Sequence, residues 1–335
     1  MSSSKINAAI FILTQNTDVR KTYLKTSLYF LFKNFNAKYN YPVIILHEGD
    51  FDAEAQTEIL TSIRKSSRHC VSFRTLDPDD FKLPDHIDRH KMERCIEANA
   101  VPYWRNEKYR MMCRFWIVNF QKYTTGYDYV MRLDDDSFIE EPVPDMFEKM
   151  KTKNLVYTSN LLHVDCGICC YGMKEFFEKI HPESKSKIEQ MFIPQEIPSR
   201  TVVIHPLRTI LSLTQDPLPD IGEKIKLSMP IMYYNNFFIT STKFWQRKEV
   251  IRDIEEIDKN GSIFYFRWGD APLQSLLVML HAKEDEVSRS IFKYSKRLQR
   301  ESLYGGDKQW HSYMPETYDK TSCITEDENM AKALS

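Results

Sequence analysis

Three consecutive aspartates, Asp134, Asp135 and Asp136, follow the apolar run at 127–133. That run reads as a strand, so the carboxylates stand just beyond its carboxyl end, where open α/β sheets bind ligands. Two carboxylates two positions apart on such a turn can hold a hard divalent cation, which takes oxygen ligands and can share them with a diphosphate. A cation held there neutralises charge on a departing diphosphate, which is Lewis-acid and template catalysis. Asp134 and Asp136 are the candidate metal carboxylates. Two plainer readings stand beside this one. The triplet can be a solvated acidic turn, and Asp77, Asp79 and Asp80 form a rival acidic run behind another apparent strand.

Other residues invite chemistry with less specificity. Asp270 precedes a first helical turn that contains Pro272, a usual place for a helix cap. Cys166, Cys169 and Cys170 have a CxxCC spacing, but a four-ligand zinc site needs a partner pair that the neighbourhood lacks. They read as small buried residues, with His163 and Asp165 nearby as sugar-contacting candidates. Most of the 18 Tyr and 20 Phe belong to the core.

The elements that must position these groups alternate. A strand at 5–13 leads to a helix that Asn16 or Thr17 can cap, with Val19, Tyr23, Leu24, Leu28, Leu31, Phe32 and Phe35 at helical spacing. A second strand at 42–46 precedes a helix capped by Asp52, and a third lies at 70–76. A helix at 109–123 then feeds the strand that carries the triplet. Such alternation predicts parallel strands covered by helices, and the chain as a whole reads as an α/β fold, a twisted mixed sheet flanked by helices. The stretch 156–228 reads as irregular, an acceptor-side elaboration. Helices follow at 242–257 and after Asp270, and 326–335 is a polar tail beyond one domain spanning 1–325.

Composition sets limits. With 42% hydrophobic and 28% charged residues, the 335-residue chain can bury a substantial core. A formal net charge of −1 gives no electrostatic reason to expect nucleic acid or an anionic membrane as partner. The apolar run at 8–13 is too short for a signal segment or a membrane span, and seven cysteines suit a reducing compartment. The expectation is an unanchored, cytoplasmic protein.

The text around the triplet adds a resemblance. KYRMMCRFWIVNFQKYTTGYDYVMRLDDDSF, FNAKYNYPVIIL and GSIFYFRWGDAPLQSL occur in an order and form that resemble the fungal glycolipid 2-α-mannosyltransferase family. Together the blocks span most of 8–285, and RWGDAP is long enough to be specific. The resemblance implies a GT-A-type fold, a GDP-mannose donor, Mn²⁺ or Mg²⁺, a glycan hydroxyl as acceptor, and retention of the α configuration. Asp134 stands where the family has the Glu of an EPD triplet, and Asp136 stands on its Asp. The match implies catalytic roles for Asp270 and Tyr109, and donor contacts for Asp134, Asp136, Arg114 and Tyr41. A carboxylate at 270 can accept a proton from an attacking hydroxyl.

Two family features are missing or moved. IMYYNNFFI places Phe238 where the family's LCHFWSNFEI has a reaction-centre Glu, and Ile231 and Met232 replace its Cys and His. The family's metal-binding His has no counterpart at the usual spacing, which leaves His311 in KQWHSYMP as the candidate third ligand. These departures keep two alternatives open. One is a glycosyltransferase using another nucleotide sugar, separable by donor screening. The other is an inactive glycan-binding module, against which an intact metal triplet argues.

Overall fold

The computed structural model describes residues 6–98, 105–198, 204–217 and 224–296. Twelve strands run through them: β1 (Ala8–Leu13), β2 (Val43–His47), β3 (Val71–Thr75), β4 (Tyr129–Leu133), β5 (Ser137–Ile139), β6 (Tyr157–Ser159), β7 (Leu162–Val164), β8 (Phe192–Pro198), β9 (Lys224–Tyr233), β10 (Phe237–Ser241), β11 (Val287–Arg289) and β12 (Tyr294–Lys296). Seven of them form one mixed sheet in the order β11-β6-β10-β4-β1-β2-β3. β3, β2, β1 and β4 are mutually parallel, whereas β10 runs antiparallel to both β4 and β6.

Alternation along β1 shows why helices must cover both faces. Ile10 and Ile12 pack with Val43, Ile45, Met131 and Leu133 beneath Leu24, Leu28 and Leu31 of the helix Asp18–Leu31. Ala9 and Phe11 point the other way, with Ile44, Leu46 and Val130, against Phe115, Trp116 and Phe120. A strand buried on both faces reads as a continuous apolar run, as AAIFIL does.

Caps fix where helices begin, and hence where their first-turn side chains point. Thr17 accepts the Arg20 backbone N–H, and Asp52 accepts that of Ala55. Asn106 accepts from Tyr109 N to start the helix Glu107–Arg114, which continues through a π turn, Phe115–Asn119, and a 3₁₀ turn, Phe120–Tyr123. Asp270 does not take the plainer of its two readings, that of a helix cap. The cap of the helix Asp270–His281 is Gly269, without a side-chain bond, so the Asp270 carboxylate is committed elsewhere.

The region 156–228 is more regular than its sequence suggests. β6 joins the main sheet, and β7, β9 and β8 form a three-stranded antiparallel sheet. Pro230 obscured it: β9 pairs β8 as far as Pro230 and β7 from Ile231 onward, so the missing N–H falls at the hand-over. The domain end expected at 325 and the tail expected at 326–335 lie outside the described residues. Among the described residues, no helix is long and apolar enough to cross a membrane.

Candidate active site

The carboxyl ends of β1 and β4 and the amino end of the reversed strand β10 meet at one rim. β10 begins opposite Leu133, so Asn235 and Asn236 arrive beside the aspartates that follow β4. Asp134 accepts from Arg132 Nε at 2.8 Å, from Lys296 Nζ at 2.9 Å and from Asn236 Nδ2. Burial alone would raise its carboxyl, but Arg132 and Lys296 outweigh burial and hold it well below the usual range. Asp135 faces inward. It accepts from Thr14 Oγ1 at 2.7 Å and takes both arms of the Arg20 guanidinium, with Nε at 2.8 Å. Arg20 reaches it from the turn that Thr17 caps.

Asp136 is the carboxylate with spare capacity. Its Oδ1 is buried without a hydrogen-bond partner, 3.4 Å from Lys296 Nζ, and its Oδ2 lies 3.5 Å from Arg20. A buried anionic oxygen with an ion pair but no hydrogen bond has capacity left for a further ligand. The donor set is hard oxygen, which suits Mn²⁺ or Mg²⁺. The residues therefore fit such an ion, with Asp136 as its ready ligand and Asp134 reached where Lys296 yields its place.

Arg132 joins the triplet to Asp270. Its Nε binds Asp134, its Nη1 binds Asp270 Oδ2, and its guanidinium lies 4.0 Å from the Trp116 ring centroid. Asn235 Nδ2 donates to the same Asp270 oxygen at 2.8 Å and to Gln274 Oε1 at 3.0 Å. Tyr109 shares the electrostatic surroundings of Asp270, Asp165 and Arg267, and burial raises its phenol far above the ordinary value. The loop before Asp270 is strained: Arg267 has φ 78°, a region costly for a residue with a side chain. Its guanidinium holds Asp165 at 2.8 Å, and Asp165 lies under Gly269, where an added Cβ would meet Asp165 Oδ2 at 3.3 Å.

Several expected residues sit elsewhere. Tyr41 lies at the amino end of β2, the opposite rim, where its hydroxyl donates to Asp145 at 2.8 Å and its ring packs on Phe147. It is buried there as a core tyrosine. Arg114 forms a two-armed pair with Asp258 at 2.7 and 2.8 Å, which ties two helices. His311 lies outside the described residues. The rival run is structural: Asp77 caps a short 3₁₀ turn, Asp79 pairs with exposed Lys82, and Asp80 meets Lys122 and Tyr123.

The remaining candidates are modest. Phe238 pairs with Arg132 across the sheet and stacks on Tyr157 at 5.5 Å. His163 Nδ1 lies 2.8 Å from the Val164 carbonyl oxygen. Cys169 and Cys170 are buried, and the six cysteines among the described residues are free thiols. A separate cluster, His181, Asp253 and His281, brings three possible ligand atoms together. Each imidazole Nε2 lies 2.6 Å from the same Asp253 oxygen, which is hydrogen-bond spacing and too close for a cation between them.

The chain matches the profile of the glycolipid 2-alpha-mannosyltransferase family over residues 1–292. It belongs to that family. An O-glycoside alpha-1,2-mannosyltransferase of Schizosaccharomyces pombe is 26% identical over 297 residues, covering 86% of this chain and 68% of that protein. The glycolipid 2-alpha-mannosyltransferase 1 of Candida albicans is 25% identical over 291 residues, covering 85% of this chain and 61% of that protein. Among solved structures, the mannosyltransferase Ktr4p of S. cerevisiae in complex with GDP superposes with a TM-score of 0.68 at 20% identity, over 98% of this chain and 81% of that one. The core-mannan synthase A of Aspergillus fumigatus, in a Mn/GDP form, gives 0.68 at 19% identity over 88% and 76%. The family members named here are mannosyltransferases, and the fold is the GT-A-like one expected from the sequence. Arg132, Asn235, Asn236, Arg20 and Lys296 escaped the sequence reading. Arg132 alone carried a signal, two positions before the triplet on the same strand.

Proposed function

We propose that the chain transfers a mannosyl residue from GDP-mannose to a glycan hydroxyl in a metal-dependent reaction. The observation that carries this reading is the Arg132 bridge, which fastens the donor-side carboxylate Asp134 and the acceptor-side carboxylate Asp270 to one buried cation. The solved structures of relatives in Mn/GDP and GDP forms support the choice of nucleotide and metal.

Asp136 and Asp134 would hold the divalent ion, which supplies neutralising charge for the departing diphosphate. The protein's own groups do the rest. Arg20 and Arg132 hold the triplet in place, so little reorganisation is needed when negative charge develops beside it. Asp270 receives the proton of the attacking hydroxyl, and Asn235 and Arg132 fix its orientation. Tyr109 stays protonated and can donate a hydrogen bond on the acceptor side. A phenyl ring at 238 cannot attack an anomeric carbon, so no covalent intermediate forms at that position of β10.

The test is release of GDP from a panel of nucleotide sugars, with and without Mn²⁺, compared with Asp136→Ala and Asp270→Asn. Metal-dependent release from GDP-mannose is expected, falling about a hundredfold or more in both variants. Release from a different nucleotide sugar would keep the fold and replace the donor. No release, together with no metal-dependent GDP binding by calorimetry, would favour a glycan-binding module.

A further inference from the structure

Lys296 ends β12 opposite Ser137, the residue that follows the acidic triplet. Register alone therefore delivers its side chain to the rim. Its ammonium lies 2.9 Å from Asp134 Oδ2 and 3.4 Å from Asp136 Oδ1, the two carboxylates that a divalent ion would need. The other two rim cations are placed differently: Arg20 serves Asp135 and Asp136, and Arg132 serves Asp134 and Asp270.

The local charges set up a conflict. Asp134, Asp135, Asp136 and Asp270 face Arg20, Arg132 and Lys296, four negative groups against three positive ones. A divalent ion entering this buried rim would meet an ammonium already seated on its ligands, and like charges at such range repel strongly in a poorly solvated site. A diphosphate removes the conflict, because its oxygens can accept from the ammonium and bind the ion together. Lysine suits such an exchange, being a compact charge on a flexible stem, where an arginine fork would stay locked to a carboxylate.

We propose that Lys296 is a tethered competitor of the divalent ion: it neutralises Asp134 and Asp136 in the donor-free enzyme and passes to the diphosphate when nucleotide and metal bind. Metal then enters with the nucleotide and not ahead of it. The inference rests on the metal-dependent reading above, and its test separates the two.

Mn²⁺ binding is measured from the free-ion spin-resonance signal and by calorimetry, on the full chain, with and without GDP. The proteins are the wild type, Lys296→Met and Lys296→Arg, with thermal melts to verify folding. Lys296→Gln repeats the charge removal with a side chain that can still hydrogen-bond Asp134. Loss of the charge is expected to tighten Mn²⁺ binding to the GDP-free protein by about tenfold or more, while Lys296→Arg stays weak. With Mn²⁺ present, GDP should bind less tightly to the Met and Gln variants than to the wild type. If the wild type binds Mn²⁺ and the neutral variants bind it no more tightly without GDP, the competition is wrong and the metal reading stands. If no protein binds Mn²⁺ under either condition while GDP still binds, both fail, and Lys296 is the cation of this site.

Discussion

Arg132 touches carboxylates from two distant parts of the chain, and its own burial makes that contact costly to disturb. Replacing it with methionine leaves Asp134 and Asp270 facing each other with one cation fewer. Breaking a buried pair from one side typically costs about 3–5 kcal/mol. We expect Arg132→Met to lower the urea midpoint accordingly and to abolish GDP release. Arg132→Met combined with Asp270→Asn should regain part of the stability and none of the activity, a split that a double-mutant cycle resolves. The sequence pointed to Asp134, Asp136, Asp270 and Tyr109 because they sit in blocks whose spacing carries the pattern, and the fold brings Asp134 and Asp270 onto one buried arginine. Arg132 was hidden as one basic residue inside an apolar strand. Asn235, Asn236 and Lys296 were hidden because only the reversal of β10 and the β5–β12 pairing bring them to the rim. Tyr41 and Arg114 lie in matching blocks too, but the fold pairs them with Asp145 at a strand's amino end and with Asp258 between two helices.

At the level of elements, the strands and caps of the first half followed from apolar runs and from Thr17, Asp52 and Asn106. The helix layer behind the site depended on a contact that no local pattern announces. His181 at the end of the helix Met173–Ile180 and His281 at the end of the helix Asp270–His281 both bind Asp253 of the helix Lys248–Asn260. Arg252 holds the other Asp253 oxygen, and Glu183 lies 3.3 Å from His181 Nδ1. Burial would raise the Asp253 carboxyl, but the hydrogen bonds from His281 and His181 outweigh it and keep it below the ordinary 3.8. A carboxyl depressed in the folded state contributes fully above its unfolded value, and the contribution is lost as pH falls through the folded one. The wild type should therefore lose stability below about pH 4 more steeply than Asp253→Asn, which starts about 1–3 kcal/mol weaker at neutral pH. Urea midpoints measured from pH 6 to pH 3 check this. Equal slopes would show that another group is titrating.

For the whole molecule, the central strands bind the two faces of the sheet into one unit. Phe237 and Ile239 of β10 pack on one side with the helix Asp18–Leu31, while Phe238 packs on the other with Trp245 and Trp268. The single catalytic domain expected from the sequence then predicts one unfolding transition. Tryptophan fluorescence and far-UV circular dichroism should coincide in denaturant. An earlier fluorescence transition would mean that the β7–β9–β8 sheet and its helices melt as a separate unit. That sheet was the least legible part of the fold, because prolines inside β9 and β8 and a β7 of only three residues gave no clean periodicity.

The bonds that join the rim span 115 positions from Arg20 to Asp135, 138 from Arg132 to Asp270 and 162 from Asp134 to Lys296. Closing loops of that length is entropically slow. During synthesis the triplet leaves the ribosome long before Asp270 or Lys296 exists to meet it. The nascent chain thus already holds Arg20 and Arg132 as partners for Asp135 and Asp134, but the rim closes only once Asp270 and then β12 with Lys296 have been made.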